Sequence, residues 1–174
     1  METLPTDAGS RLVRAGLFTA VIDGLFSSVL AQFFYGSTAA RLFQGVAAVP
    51  LAAVPLGADA TGGGTRTAIG IGIHVCVAFA WSAIFLLVFM RLAWIRRTLE
   101  APYGVFKIAA LYGPFIWLVM SFVIVPLFPP HAFPRNWTRW WIQFIGHALF
   151  VGLPIVASIA GKLGAAKTAR VSIA

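Results

Sequence analysis

Long apolar runs separated by short clusters of arginine dominate the pattern of this chain. Four runs reach the roughly 20 residues that one bilayer crossing takes: about Val13 to Tyr35, Thr67 to Met90, Val105 to Pro126 and Trp140 to Ala160. The charges fall between them, at Arg11 and Arg14, Arg41 and Arg66, Arg91, Arg96 and Arg97, and Arg135 and Arg139, with Lys162, Lys167 and Arg170 after the last. This pattern predicts an all-α fold, an integral membrane four-helix antiparallel bundle in which residues 1–174 form a single transmembrane domain. The first run is longer than the core of a signal peptide and "GLFSSVLAQFFYG" lacks a small-x-small exit, so it is expected to be a retained helix.

The segment between the first two runs is long and almost uncharged. Ala40, Phe43, Val46 and Ala47 recur at helical spacing, which predicts a short amphipathic helix over about residues 38–49, lying on or dipping into the outer membrane face. Ser37 is placed to cap it, and Pro50 and Pro55 to end it. Gly62, Gly63 and Gly64 then read as a flexible joint; they lack the Lys-Ser/Thr that follows the glycines of a phosphate loop. Pro114 and Pro154 each remove a backbone hydrogen bond inside a run and predict kinks, eased by Gly113 and Gly152. Pro126, Pro129, Pro130 and Pro134 predict a stiff outer turn with His131 exposed on it.

Composition sharpens the class. Hydrophobic residues make up 60% of the chain and charged residues 10%, with a mean hydropathy of +0.90, against about a quarter charged in an ordinary soluble domain. Four crossings of 174 residues leave no length for a separate soluble domain. The formal net charge of +8 reads as a topology signal. Nine basic residues (11, 14, 91, 96, 97, 107, 162, 167 and 170) fall on the side of the termini and four (41, 66, 135 and 139) on the other, which predicts cytoplasmic termini. The basic residues sit at helix ends rather than in a patch interleaved with exposed aromatics, so no nucleic-acid partner is expected. Membrane lipids, including anionic headgroups, are the expected partners of the cytoplasmic Arg and Lys. Trp137, Trp140 and Trp141, with Trp94 and Tyr103 at the opposite surface, read as interfacial anchors.

Chemistry-bearing residues are few. Cys76 is the sole cysteine and reads as a small packing residue within a span. Gly16, Ala20, Gly24 and Ser28 recur every four residues on span one and form a helix-packing seam, within the bundle or between copies. Ionisable groups inside a span are costly and therefore count as site candidates. Asp23 shares a face with Thr19 and Ser27 beside that seam and is a candidate for a proton or solute path. Span two begins "TRTAIGIGIH" and span four "TRWWIQFIGH", each with a histidine eight residues after the arginine. At 1.5 Å per residue, His74 and His147 are expected at one depth, roughly 10 Å below the outer interface. Arg66, Gly70 and His74 share one face, as do Arg139, Gln143 and His147, which adds Gln143 to the candidate path. Matched histidines suit two axial haem ligands, a hydrogen-bonded pair or a proton path. For a haem b or quinone site, Arg66 and Arg139 are placed to hold the propionates of the haem. Span three adds only Tyr112, Met120 and Ser121 as further ligands, so no metal site is expected.

"IHVCVAFAWSAIF" on span two, "LYGPFIWLVMSFVIVPL" on span three and "GHALFVGLPI" on span four resemble the small four-span bacterial inner-membrane proteins similar to YagU, a group without established biochemistry. The resemblance covers roughly residues 16 to 162 and includes His74 and His147. The group often carries Asn or His five residues before the span-three proline, where this chain has Ser121. It implies a fold and a bacterial inner (plasma) membrane location rather than an activity. No nucleophile is paired with a base and no carboxylates are paired along the sequence, so no enzyme and no resident cofactor are expected. The leading expectation is a structural or accessory membrane component, as a homo-oligomer or as a subunit of a larger complex. A proton-coupled or passive small-solute transporter using Asp23, His74 and His147 is the second, and a haem- or quinone-binding redox subunit the third.

Overall fold

A computed structural model describes residues 7–51, 63–128 and 136–160 of the chain. Those residues form six helices: α1 (Ala8–Phe34), α2 (Ala39–Leu51), α3 (Gly63–Arg91), α4 (Ala93–Glu100), α5 (Gly104–Leu127) and α6 (Trp137–Ala160). Four of them, α1, α3, α5 and α6, are long and apolar enough to cross a membrane, and the chain is a multi-pass, all-α membrane protein. Their outer surfaces carry exposed Leu25, Phe33, Leu111 and Ile145, as the lipid-facing side of a bundle does.

Small residues set how closely the spans approach. Gly16 lies under the Phe79 ring, where an added Cβ would come within 2.7 Å, and Gly24 faces His74. Residue 16 thus meets 79 and residue 24 meets 74, so α1 and α3 run antiparallel along the predicted seam, which is spent inside the bundle. Between α5 and α6 the approach is closer still. An added Cβ on Gly113 would strike the His147 carbonyl, and one on Gly152 the Ala109 carbonyl. These glycines, expected to ease kinks, also let two backbones cross in contact. Arg11 and Arg14 tie α1 to the end of α6 by donating to the carbonyl oxygens of Ile159 (2.6 Å) and Ser158 (2.7 Å). They satisfy acceptors that a helix end leaves without partners. Span α3 meets α5 through rings rather than backbone: Trp81, Phe85, Phe89, Tyr112 and Phe115 interlock, and the Tyr112 hydroxyl donates to the Trp81 carbonyl at 2.7 Å.

Three spans include a π-helical turn: Leu30–Phe34 in α1, Met120–Ile124 in α5 and Ala148–Gly152 in α6. In α6 that turn begins directly after His147 and is followed by Pro154. The missing proline N–H is thus accommodated by a local change of hydrogen-bond register, one of the recognised causes of helix distortion. Pro114 lies within the unbroken helical part of α5.

The short helix α2 differs from its expected form in two respects. Thr38 caps it in place of Ser37, its Oγ1 accepting from the Arg41 amide at 3.2 Å. Pro50 lies in its last turn instead of ending it, while Pro55 falls outside the described residues. It also packs against α3: Gly70 abuts the Phe43 carbonyl, and Gln44 Nε2 reaches the Gly63 carbonyl and Thr67 Oγ1. Gly63 and Gly64 belong to the first turn of α3 rather than to a flexible joint, with Gly62 outside the described residues. Cys76 is exposed on the surface of α3, not a packing residue. The expected positions of His131, Pro129, Pro130, Pro134, Arg135, Lys162, Lys167 and Arg170 also lie outside the described residues.

Candidate functional site

Asp23 is held between three spans by its small neighbours. Because Ala20 and Gly24 present almost no side chain to α3, the His74 ring reaches the α1 backbone, and its Nε2 lies 3.0 Å from the Ala20 carbonyl. A carbonyl oxygen only accepts, so Nε2 carries the hydrogen and Nδ1 is left facing Asp23. The distance from Nδ1 to Asp23 Oδ2 is 3.9 Å. That is ion-pair distance and too long for a hydrogen bond, so passage of a proton between them requires a small carboxyl rotation or one bridging water. Both side chains are largely buried, at 17% and 15% exposure for His74 and Asp23.

His147 completes the group from α6. Its Nδ1 donates to the Gln143 carbonyl one helical turn back, at 2.7 Å, which fixes the tautomer and leaves Nε2 as the ring's free acceptor in the neutral state. The ring is buried and tilted against Trp117 with centroids 4.8 Å apart, and its neighbour Gly146 packs on Phe26 of α1, three residues from Asp23. Both histidines thus come from spans that pack on α1 within a turn of Asp23, His74 from α3 and His147 from α6. The Gln143 side chain lies on the same face of α6 as His147, and its Oε1 is buried without a hydrogen-bond partner. So are Asp23 Oδ1 and, one turn along α1, Thr19 Oγ1. Buried oxygens of this kind have lone pairs to offer a proton or a water.

Aromatic rings pack beside the group. Phe43 of α2 sets its edge toward His74, with centroids 5.7 Å apart, and reaches Gly24 as well. Phe26 of α1 packs on Gly146 and stacks on Phe150 at 4.0 Å. Phe26, Phe43 and Trp117 were not legible as site residues, since nothing in the sequence separates them from other aromatics in apolar runs. The Ala20 carbonyl carries no sequence signal at all.

The two arginines stand apart from this group in character. Arg139 stacks over the Tyr35 ring at 4.3 Å and donates to the Tyr35 carbonyl at 3.4 Å, which ties the start of α6 to the end of α1. Burial pushes the Tyr35 hydroxyl above its ordinary pKa, and the Arg139 charge opposes the shift. Arg66 begins α3 with its Nε buried and without a partner. The tryptophan cluster divides: Trp137 and Trp141 are exposed as anchors are, whereas Trp140 stacks on Phe144 and turns toward Trp117.

Haem b does not fit these histidines. Axial ligation requires a free nitrogen from each ring across a porphyrin plane. His74 has one nitrogen on Ala20 and the other toward Asp23, with Gly24 and Phe43 packed against the ring. Among the described residues no three His, Cys, Asp or Glu side chains gather in a form that would hold a metal ion. What the arrangement can do is hold a proton, with a carboxyl group and two imidazoles of fixed tautomer as alternative sites for it. No protein-family model matches the chain, no curated protein matches it, and no solved structure matches it.

Proposed function

We propose that this multi-pass protein binds and releases a proton at Asp23, His74 and His147, and that proton-coupled or passive movement of a small solute is the function served. The observation that carries this reading is the placement of Asp23 Oδ2 3.9 Å from His74 Nδ1 between two spans, and His147 follows Gly146, which packs on Phe26 of α1. An ionisable residue inside the bilayer with a named ionisable partner is the usual mark of a proton or substrate pathway. Gln143 Oε1 and Thr19 Oγ1 supply acceptors without protein partners for water or solute. On this reading the protein is non-enzymatic and carries no resident cofactor. It lies in the bacterial inner membrane with both termini cytoplasmic, as the excess of Arg and Lys on that side and the resemblance to the YagU-like group support.

The test is proton uptake by sealed proteoliposomes loaded with a pH-sensitive dye and driven by an imposed membrane potential. Wild-type protein is expected to acidify the lumen, and Asp23→Asn and His147→Ala to fall to the leak of protein-free vesicles. Equal rates for all three proteins contradict the reading.

The packing of Phe43 against His74 and Gly24 favours a second reading, in which the proton is held rather than passed and the bundle is an accessory component of a larger membrane complex. The seam of Gly16, Ala20 and Gly24 no longer argues for a homo-oligomer, because α3 occupies it. The accessory reading predicts a titratable Asp23 with no uptake above leak.

A further inference from the structure

We propose that a groove on the lipid-facing surface between α1 and the second half of α6 binds one anionic phospholipid, its phosphate on Arg14 and an acyl chain along the groove. The groove has a volume of about 400 Å³ and is lined by Arg14, Phe18, Ile22, Leu149, Leu153 and Ala157, among others. From Arg14 to Ile22 it extends along eight residues of α1, roughly 12 Å at the helical rise. Its apolar walls are open to the bilayer: Phe18 and Leu149 are each 54% exposed. Ala157, exposed on α6, lines the groove with a single methyl group.

Charge decides which lipid the groove takes. Arg14 is exposed, and a single hydrogen bond from Nη2 to the Ser158 carbonyl fixes its guanidinium at the head of the groove. Its other donors point to no protein acceptor among the described residues, and a guanidinium so held can present two parallel N–H groups to a phosphate. Arg11, one turn back, is engaged differently, donating to Asp7 at 2.9 Å and to the Ile159 carbonyl. Asp7 is therefore paired with Arg11, and among the described residues no carboxylate is hydrogen-bonded to Arg14. The site matches an anionic headgroup such as phosphatidylglycerol rather than phosphatidylcholine.

The test is native mass spectrometry of the protein in detergent, titrated with phosphatidylglycerol or with phosphatidylcholine of the same acyl chains. Wild-type protein is expected to retain one phosphatidylglycerol in preference. Arg14→Gln is expected to lower that binding about tenfold, the weight of one charge-assisted hydrogen bond, and to erase the preference. Ala157→Phe fills the groove and is expected to lower binding of both lipids. Arg14 also holds the Ser158 carbonyl, so a melting curve of each variant accompanies the titration, and Arg14→Lys, which keeps the charge, is expected to retain the preference for phosphatidylglycerol. Wild-type preference in Arg14→Gln, or wild-type binding of both lipids by Ala157→Phe, overturns the proposal.

Discussion

Asp23 sits where it does because the residues around it are small. Ala20 and Gly24 bring α3 close enough for one histidine nitrogen to reach the α1 backbone, and that single bond orients the other nitrogen toward the carboxyl group. Gly24→Val is therefore expected to displace His74, since an added Cβ already stands 3.4 Å from its Nε2. The displacement is read as a changed ¹⁵N chemical shift of the His74 ring, and an unchanged shift would mean that Gly24 does not position it. Gly152→Val meets backbone rather than a movable side chain, at Ala109 and Gly113. Overpacking of that kind costs about 1–3 kcal/mol or more, seen as a lower melting temperature by circular dichroism in detergent. The ionisable residues of the site were legible in the sequence because charge inside an apolar run stands out. Their partners were not, since a backbone carbonyl and three aromatic rings have no distinctive pattern.

At the scale of elements, the four spans follow directly from apolar length, and their ends lie within a few residues of the predicted ones, except that α1 begins at Ala8 and α3 at Gly63. The helix α4 was hidden because Arg91, Arg96 and Arg97 dominate its stretch, although Ile95 and Leu99, four residues apart, are its buried contacts. Helix α2 was found, but its direction of packing was not, because the contact of Phe43 with Gly70 joins residues whose pairing depends on the whole bundle. The π turns leave no periodic trace over five residues. Loss of the Thr38 cap by Thr38→Ala is expected to cost α2 about 1 kcal/mol. Faster amide hydrogen exchange over residues 39–44 measures this, and unchanged protection would show that packing against α3 alone holds the helix.

For the whole molecule, the contacts close a ring. Span α1 meets α3 and α6 along its length, α5 meets α6 at backbone contact, and interlocked rings bridge α5 to α3. Antiparallel spans place position 10, near the start of α1, and position 137, at the start of α6, at opposite ends of the bundle. In a Cys76→Ala background, Ser10→Cys and Trp137→Cys are expected to react with an impermeant maleimide from opposite faces of sealed vesicles. The excess of basic residues puts position 10 on the cytoplasmic face. Labelling of both from one face would refute the arrangement of spans.

The central claim is that Asp23, His74 and His147 share an exchangeable proton inside the membrane. Infrared difference spectroscopy of the reconstituted protein, stepped in pH, reads the carboxyl group directly. The account predicts a carbonyl band that titrates, disappears in Asp23→Asn, and changes its midpoint in both His74→Gln and His147→Gln. A band that does not titrate, or one whose midpoint ignores both histidines, would contradict it.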